Sequence, residues 1–289
     1  MTNPSTTLAP RPAAAVALPT PLRLGLARTR VEVKEFAREK DAVIFVFAFP
    51  VIMLAIFSTV FGGDDGAVFG SGDDPGVPFA QYFLPGMLAA GVMLSSFQSL
   101  AISIAVERDD GTLKRLRGTP LPAVSYFLGK VGLVLVTSVA QAAVLIGSAV
   151  LAFGVDLPTD VSRWVTFAWV FLLGSAAGTV LGVAFSSVPR SGRSASAVVT
   201  PVVVILQFIS GVFFILNDLP TWLQRVAEVF PLKWMAQGMR SVFLDPRYEA
   251  VEVSGSWQHG ETAVVLLVWL VAGFLLCLGT FRWSRRDDG

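Results

Sequence analysis

Histidine and cysteine are almost missing from this 289-residue chain, which has one of each, His259 and Cys277. A lone cysteine excludes an internal disulfide framework and a thiolate metal cluster. A lone histidine removes most histidine-based acid–base and metal chemistry. Charge is scarce as well: 15% of residues, against about 25% in an ordinary soluble chain. It vanishes from six apolar stretches, Ala42–Phe61, Phe83–Val106, Val131–Phe153, Trp164–Val188, Ala197–Leu216 and Ala263–Phe281, none of which holds Asp, Glu, Lys or Arg. A proton- or ion-coupled carrier normally buries an ionisable group in the bilayer, so its absence here points to a driving force from outside the membrane. The stretches also lack the paired carboxylates, histidine clusters or Ser/His pairs of an intramembrane enzyme. No phosphate-cradling Gly-x-x-x-x-Gly-Lys-Ser/Thr loop exists either, since the sole Gly-Lys pair, Gly129-Lys130, runs into Val131.

What is abundant is apolar surface, 54% of residues, with a mean hydropathy of +0.66. About 20 apolar residues at a rise of about 1.5 Å each cross a hydrocarbon core. Continuous rather than alternating runs specify helices, so the fold expected is an all-α polytopic membrane protein with six transmembrane helices. Seventeen of the 22 basic residues fall on one side if the N-terminus is cytoplasmic, while Asp64, Asp65, Asp73 and Asp74 share the first outer loop. That bias predicts a multi-pass protein of the cell membrane with both termini inside. Residues 1–21, rich in Ala, Pro, Thr and Ser, read as a disordered cytoplasmic tail, and 287–289 as a second, very short one. Residues 22–286 form the membrane domain.

Two amphipathic segments complete this outline. Pro21–Lys40 mixes apolar and charged residues and suits an interfacial helix on the inner side. Leu219–Leu244, interrupted at Pro231 and carrying Trp222 and Trp234, suits two short helices at the outer interface before the last span. Within the spans, Gln98, Gln141 and Gln207 are the side chains most costly to expose to lipid; with Ser210 they are candidates to line a path, or to bond helix to helix. Gly174, Gly178 and Gly182 lie on one face of the fourth span, where bare backbone admits a neighbouring helix, expected within the chain. Lys130, at the inner start of the third span, is expected to snorkel to the headgroups.

Three motifs occur in order among these spans. The first is Glu107-x-x-x-Gly111-Thr112-Leu113-x-x-Leu116 followed by Thr119-Pro120-Leu121. The second is Leu206-Gln207-Phe208-Ile209-Ser210-Gly211-Val212-Phe213-Phe214 with Leu219-Pro220-x-Trp222-Leu223. The third is Phe230-Pro231-Leu232 with Gly238-Met239-Arg240. On these the chain resembles the membrane subunits of type-2 ABC exporters, the permease family that includes antibiotic-resistance and polysaccharide exporters. The resemblance implies a permease that is not itself an enzyme, paired as a homodimer or heterodimer with a second permease copy. It also implies a cytoplasmic ABC ATPase subunit that binds the ATP and Mg, so that no cofactor resides in this chain. Membrane lipid and a hydrophobic substrate (drug, lipid or glycan) complete the implied partners, with no nucleic acid. It further implies that Glu107–Leu116 is a coupling helix docking on the ATPase through Glu107, Gly111, Thr112, Leu113, Arg115 and Leu116. Leu113 and Leu116 are expected to supply an apolar anchor inside a rim of Lys114, Arg115 and Arg117. The competing class is a non-transporting membrane anchor or assembly protein.

Overall fold

The computed structural model describes residues 20–61, 67–68 and 76–281. The tails expected at 1–21 (apart from residues 20 and 21) and 287–289, and the outer-loop acids Asp64, Asp65, Asp73 and Asp74, lie outside the described residues.

An amphipathic helix, α1 (Pro21–Arg38), opens with proline in its first turn, where no backbone donor is needed. The chain turns at Glu39 and enters α2 (Lys40–Phe61), the first of six helices long and apolar enough to cross a membrane. A minimal antiparallel pairing, β1 (Ala67–Val68) with β2 (Val77–Pro78), leads into the second. That span is a composite rod: α3 (Phe79–Met93), a π-helical turn at Leu94–Gln98, and α4 (Ser99–Asp109). The short α5 (Thr112–Arg117) links it to the third span, α6 (Ala123–Phe153). The fourth and fifth are α7 (Val161–Phe185) and α8 (Gly192–Ile209). Two shorter helices, α9 (Thr221–Val229) and α10 (Pro231–Phe243), precede the last span, α11 (His259–Thr280).

The layering follows hydrophobicity and side-chain size. The α3–α4 rod, α7 and α10 form the centre, where Leu84, Ala89, Ala101, Val170, Leu232, Met239 and Val242 are buried. α2 and α11 sit at the periphery and leave most of their apolar side chains uncovered, as lipid-facing helices do. Close packing of the centre depends on Gly178 and Gly182 of α7. A Cβ at Gly182 would stand 2.8 Å from the Ser96 carbonyl oxygen, and one at Gly178 would stand 2.1 Å from the Ser96 hydroxyl. Gly174, one turn further, faces the Met235 side chain of α10.

Some boundaries differ from those the hydropathy marks. The expected spans begin at Phe83, Val131, Trp164 and Ala197, whereas the helices begin at Phe79, Ala123, Val161 and Gly192. Hydropathy measures the lipid-embedded length; hydrogen bonding carries a helix past it into the polar zone. The fifth span stops at Ile209 instead of Leu216, because Gly211 takes a left-handed φ of +71° that no continuing helix permits. A turn at Leu216–Asp218 then starts the outer segment. α10 is buried on nearly every residue, packed chiefly against α3 and α7.

Candidate functional site

The segment singled out by sequence sits at one end of the bundle, where α1, α4, α5 and α6 meet. α1 runs along α6: Ser125 Oγ donates to the Pro21 carbonyl at 2.8 Å, and Thr29 Oγ1 donates to the carbonyls of Gly25 and Leu128 at 3.1 and 3.4 Å. Between them lies a cluster of four charges. Lys130, 1% exposed, donates through Nζ to Glu32 Oε2 at 2.8 Å and also to Glu107 Oε1. Glu32, itself buried, pairs with Arg28 at 2.6 Å. Glu107 Oε2 accepts from the hydroxyl of the fully buried Tyr126 at 2.8 Å. Both cations lie within 6 Å of the Tyr126 ring, at 5.9 Å for Arg28 and 5.7 Å for Lys130.

Two carboxylates meet two cations here, so the buried group is neutral as a whole. Such a cluster fixes geometry more than it adds net stability, because attraction in a low dielectric has to offset the desolvation of every ion. It joins three separate pieces of chain: α1 through Arg28 and Glu32, the end of α4 through Glu107, and the start of α6 through Tyr126 and Lys130. Lys130 therefore does not snorkel to the headgroups; two acids turn it inward. A hydropathy reading misses this because Glu32 and Glu107 lie 98 and 23 residues away from Lys130. A fourth tie holds α4 to α7, where Arg108 donates to the Ser186 carbonyl at 2.7 Å and to its hydroxyl at 3.0 Å.

α5 hangs from this cluster by a tight turn. Gly111 adopts φ +77°, in the left-handed region that favours glycine. Asp110 Oδ1 then accepts from the Thr112 N–H at 2.8 Å, and Arg115 donates to Thr112 Oγ1 at 3.0 Å. The apolar anchor expected on the outward face is turned the other way. Leu113 is fully buried with Leu100, Ile104, Tyr126, Val134 and Val183, and half-buried Leu116 packs on the same group. The physical reason is that a six-residue helix has one apolar side, and it covers the membrane domain's own end. The outward side presents Lys114, Arg115 and Arg117, followed by exposed Gly118, Thr119 and Pro120.

Within one chain the four candidate path residues have different surroundings. Gln141 is buried and spent on helix bonding: its Nε2 donates to the Val46 carbonyl at 2.8 Å, and its Oε1 accepts from Ser95 at 3.2 Å. Gln207 and Ser210 are buried near the far end of α8, where Gln207 Nε2 and Ser210 Oγ have no hydrogen-bond partner among the described residues. Gln98, 3.5 Å from Thr200 Oγ1, is the one that opens into a cavity, of about 510 Å³, between α1, α2, α4 and α6.

At the opposite end α10 carries a second buried ion pair. Arg240 grips Glu252 in a two-pronged contact, Nε to Oε1 at 2.5 Å and Nη2 to Oε2 at 3.0 Å, and reaches the Gly211 carbonyl at 3.3 Å. Beside it Lys233 is buried with its Nζ 3.6 Å from the centre of the Trp234 ring, and burial pulls its pKa down from 10.5 to about 8.

Comparison with known proteins follows the same outline. The model of the family described as ABC-2 type transporter matches residues 26–244. The inner membrane transport permease YadH of Escherichia coli is 25% identical over 237 residues, covering 82% of this chain and 87% of that protein. ABC transporter G family member 20 of Dictyostelium discoideum is 25% identical over 224 residues, 74% of this chain and 28% of that protein. The probable multidrug ABC transporter permease YbhR of Escherichia coli is 20% identical over 171 residues, 59% of this chain and 46% of that protein.

Proposed function

Since the chain belongs to the ABC-2 type transporter family, we propose that the α1–α4–α5–α6 junction is the place where this membrane permease takes up mechanical work from a cytoplasmic ATP-hydrolysing subunit. The observation that carries the reading is the Arg28–Glu32–Lys130–Glu107 cluster, which binds the amphipathic helix, the α4–α5 turn and the third span into one unit. A push on α5 is then delivered to two spans and to α1 together. Leu113 transmits it by packing, since its side chain is wedged under α4, α6 and α7. The docking surface is the polar outer side of α5, with Lys114, Arg115 and Arg117 as its exposed cations. Glu107, Gly111, Thr112, Leu113 and Leu116 act behind that surface, positioning it rather than touching the partner.

In this reading the α5 end of the bundle is cytoplasmic, with both termini on that side, and the α9–α10 end faces outward. ATP and Mg belong to the partner subunit, a second permease copy completes the path, and the cargo is hydrophobic or amphipathic. The central test is the double substitution Arg115→Glu/Arg117→Glu. Both side chains are exposed, so the amount of protein in the membrane should stay the same while co-purification of the ATPase subunit falls steeply. Undiminished recruitment at normal membrane levels would overturn the reading. Substituting Leu113 with Asp is a poor probe, because it would bury a charge instead of altering a contact surface.

A further inference from the structure

The cavity of about 510 Å³ between α1, α2, α4 and α6 is bordered on one side by the charged cluster just described, whose Arg28, Glu32, Glu107 and Lys130 all line it. Its volume falls in the range of about 300–1,000 Å³ typical of small-molecule sites. It runs from Asp110 and Thr112 at the α5 end down to Ser95 and Val46. Fifteen helical residues separate Ser95 from Asp110, which at about 1.5 Å each makes it roughly 22 Å deep. Its apolar wall is supplied by Phe36, Phe45, Ile102, Leu133 and Val134, interrupted by the hydroxyl and amide groups of Ser95, Gln98, Ser99, Ser103 and Thr137. Its charged lining is unbalanced: two cations, Arg28 and Lys130, against five carboxylates, Glu32, Glu35, Glu39, Glu107 and Asp110. The buried cluster consumes both cations together with Glu32 and Glu107. Asp110 is occupied by the Thr112 N–H. Glu35 and Glu39 stand exposed at the mouth, with no cationic partner among the described residues.

We propose that this cavity is a binding vestibule for an organic cation with a bulky apolar body, whose charge is held by Glu35 and Glu39 and whose body rests on the aromatic and aliphatic walls. A negative rim on a cavity with low-dielectric walls concentrates cations and repels anions. The ring faces of Phe36 and Phe45 in the lining suit a diffuse organic cation better than a hydrated metal ion, which keeps its charge behind a shell of water. The small hydroxyls of Ser95, Ser99 and Ser103 line it without adding charge. As a statement about cargo the inference rests on the export reading; as a statement about binding it stands alone, and the experiment separates the two.

The probes are tetraphenylphosphonium and tetraphenylborate, which share size and shape and differ in the sign of charge. Equilibrium binding of each is measured on the full chain in lipid nanodiscs without nucleotide, with protein-free nanodiscs as the background. Tetraphenylphosphonium should bind saturably and weaken with rising salt. Tetraphenylborate should neither bind above background nor compete. Glu35→Gln/Glu39→Gln, at two solvated positions that leave the fold intact, should raise the dissociation constant about fivefold or more. Ala42→Trp, which places an indole in the mouth, should reduce occupancy whatever the charge. Equal affinity for both ions, binding no greater than in empty nanodiscs, or no response to Glu35→Gln/Glu39→Gln would each overturn the proposal. Binding as expected, combined with intact ATPase recruitment in the Arg115→Glu/Arg117→Glu protein, would uphold the vestibule and refute the coupling surface instead.

Discussion

Replacing Lys130 with Met removes the cation that two acids share. Met matches the length of the Lys stem, so packing is largely kept and the electrostatic change dominates. At 2.8 Å and an effective dielectric near 20, each Lys130–carboxylate contact is worth about 6 kcal/mol of attraction before desolvation is counted. Arg28 still neutralises Glu32 at 2.6 Å, so the substitution strands one carboxylate, that of Glu107, which is 16% exposed. Stranding a buried charge in this way costs about 3–5 kcal/mol, a large share of the roughly 5–15 kcal/mol that holds a domain together. The second substitution discriminates. In Lys130→Met/Glu107→Gln the neutral amide still accepts from Tyr126, and Arg28–Glu32 remains a balanced pair. The double variant should recover at least half of the loss, a coupling of about 2 kcal/mol or more. Equilibrium unfolding in mixed SDS and dodecyl maltoside micelles, followed by the fluorescence of the seven tryptophans, measures each step. If Lys130→Met costs under about 1 kcal/mol, or if adding Glu107→Gln makes matters worse, the charge-balance account of the cluster is wrong.

Leu113→Ala should destabilise the protein by about 2–4 kcal/mol in the same assay, whereas Arg117→Ala should stay within about 0.5 kcal/mol, because one side chain is buried and the other solvated. Gly182→Val sets a branched side chain against the Ser96 and Phe97 backbone, which cannot retreat; a loss of about 1–3 kcal/mol and a lower membrane yield should follow. Lys233 gives a pH test. Its folded pKa of about 8 lies below the unfolded value of 10.5. Between those values the unfolded chain binds a proton the folded one has released, so stability rises with pH across pH 8 to 10.5, and the full burial penalty applies below pH 8. Lys233→Met should therefore raise the melting temperature at pH 7, by up to about 3 kcal/mol in free energy, with the gain fading toward pH 10.5; a pH-independent difference would contradict the assignment.

The six spans and the helical pieces between them were legible because lipid leaves the backbone few options: an uncharged apolar run of membrane length has to be helix. The short α5 was expected from the family resemblance of Glu107–Leu116, whereas the left-handed turn at Gly111 from which it hangs was not read from the sequence. Which way Leu113 points was not, since a six-residue amphipathic helix covers whichever apolar surface is nearer, here that of its own chain. Long-range ion pairing was equally hidden. Glu32 reads as one charge among many on an amphipathic helix, and only its meeting with Lys130 makes it a core residue. Gln141 illustrates the same limit: a polar side chain in a span can face a path or another helix, and contact with Val46 and Ser95 decides it. The π-helical turn at Leu94–Gln98 left no mark that hydropathy could read, since a change in helical pitch alters no side chain's polarity.

The π-helical turn has a geometric consequence for everything between it and α5. Its widened loop, closed by the Ser99 N–H on the Leu94 carbonyl, inserts one residue into the ordinary winding. At 3.6 residues per turn that advances the lower half of the rod by about 100° relative to the upper half. Leu84, Met87 and Ala101 can all serve the central packing while Gln98, Ile102 and Val106 look sideways into the vestibule. Glu107 meets Lys130 only in this phase. Deleting one residue from Leu94–Gln98 would spin the acid away from its partner, which makes that single added residue the timing mark by which the rod's two halves are set against each other.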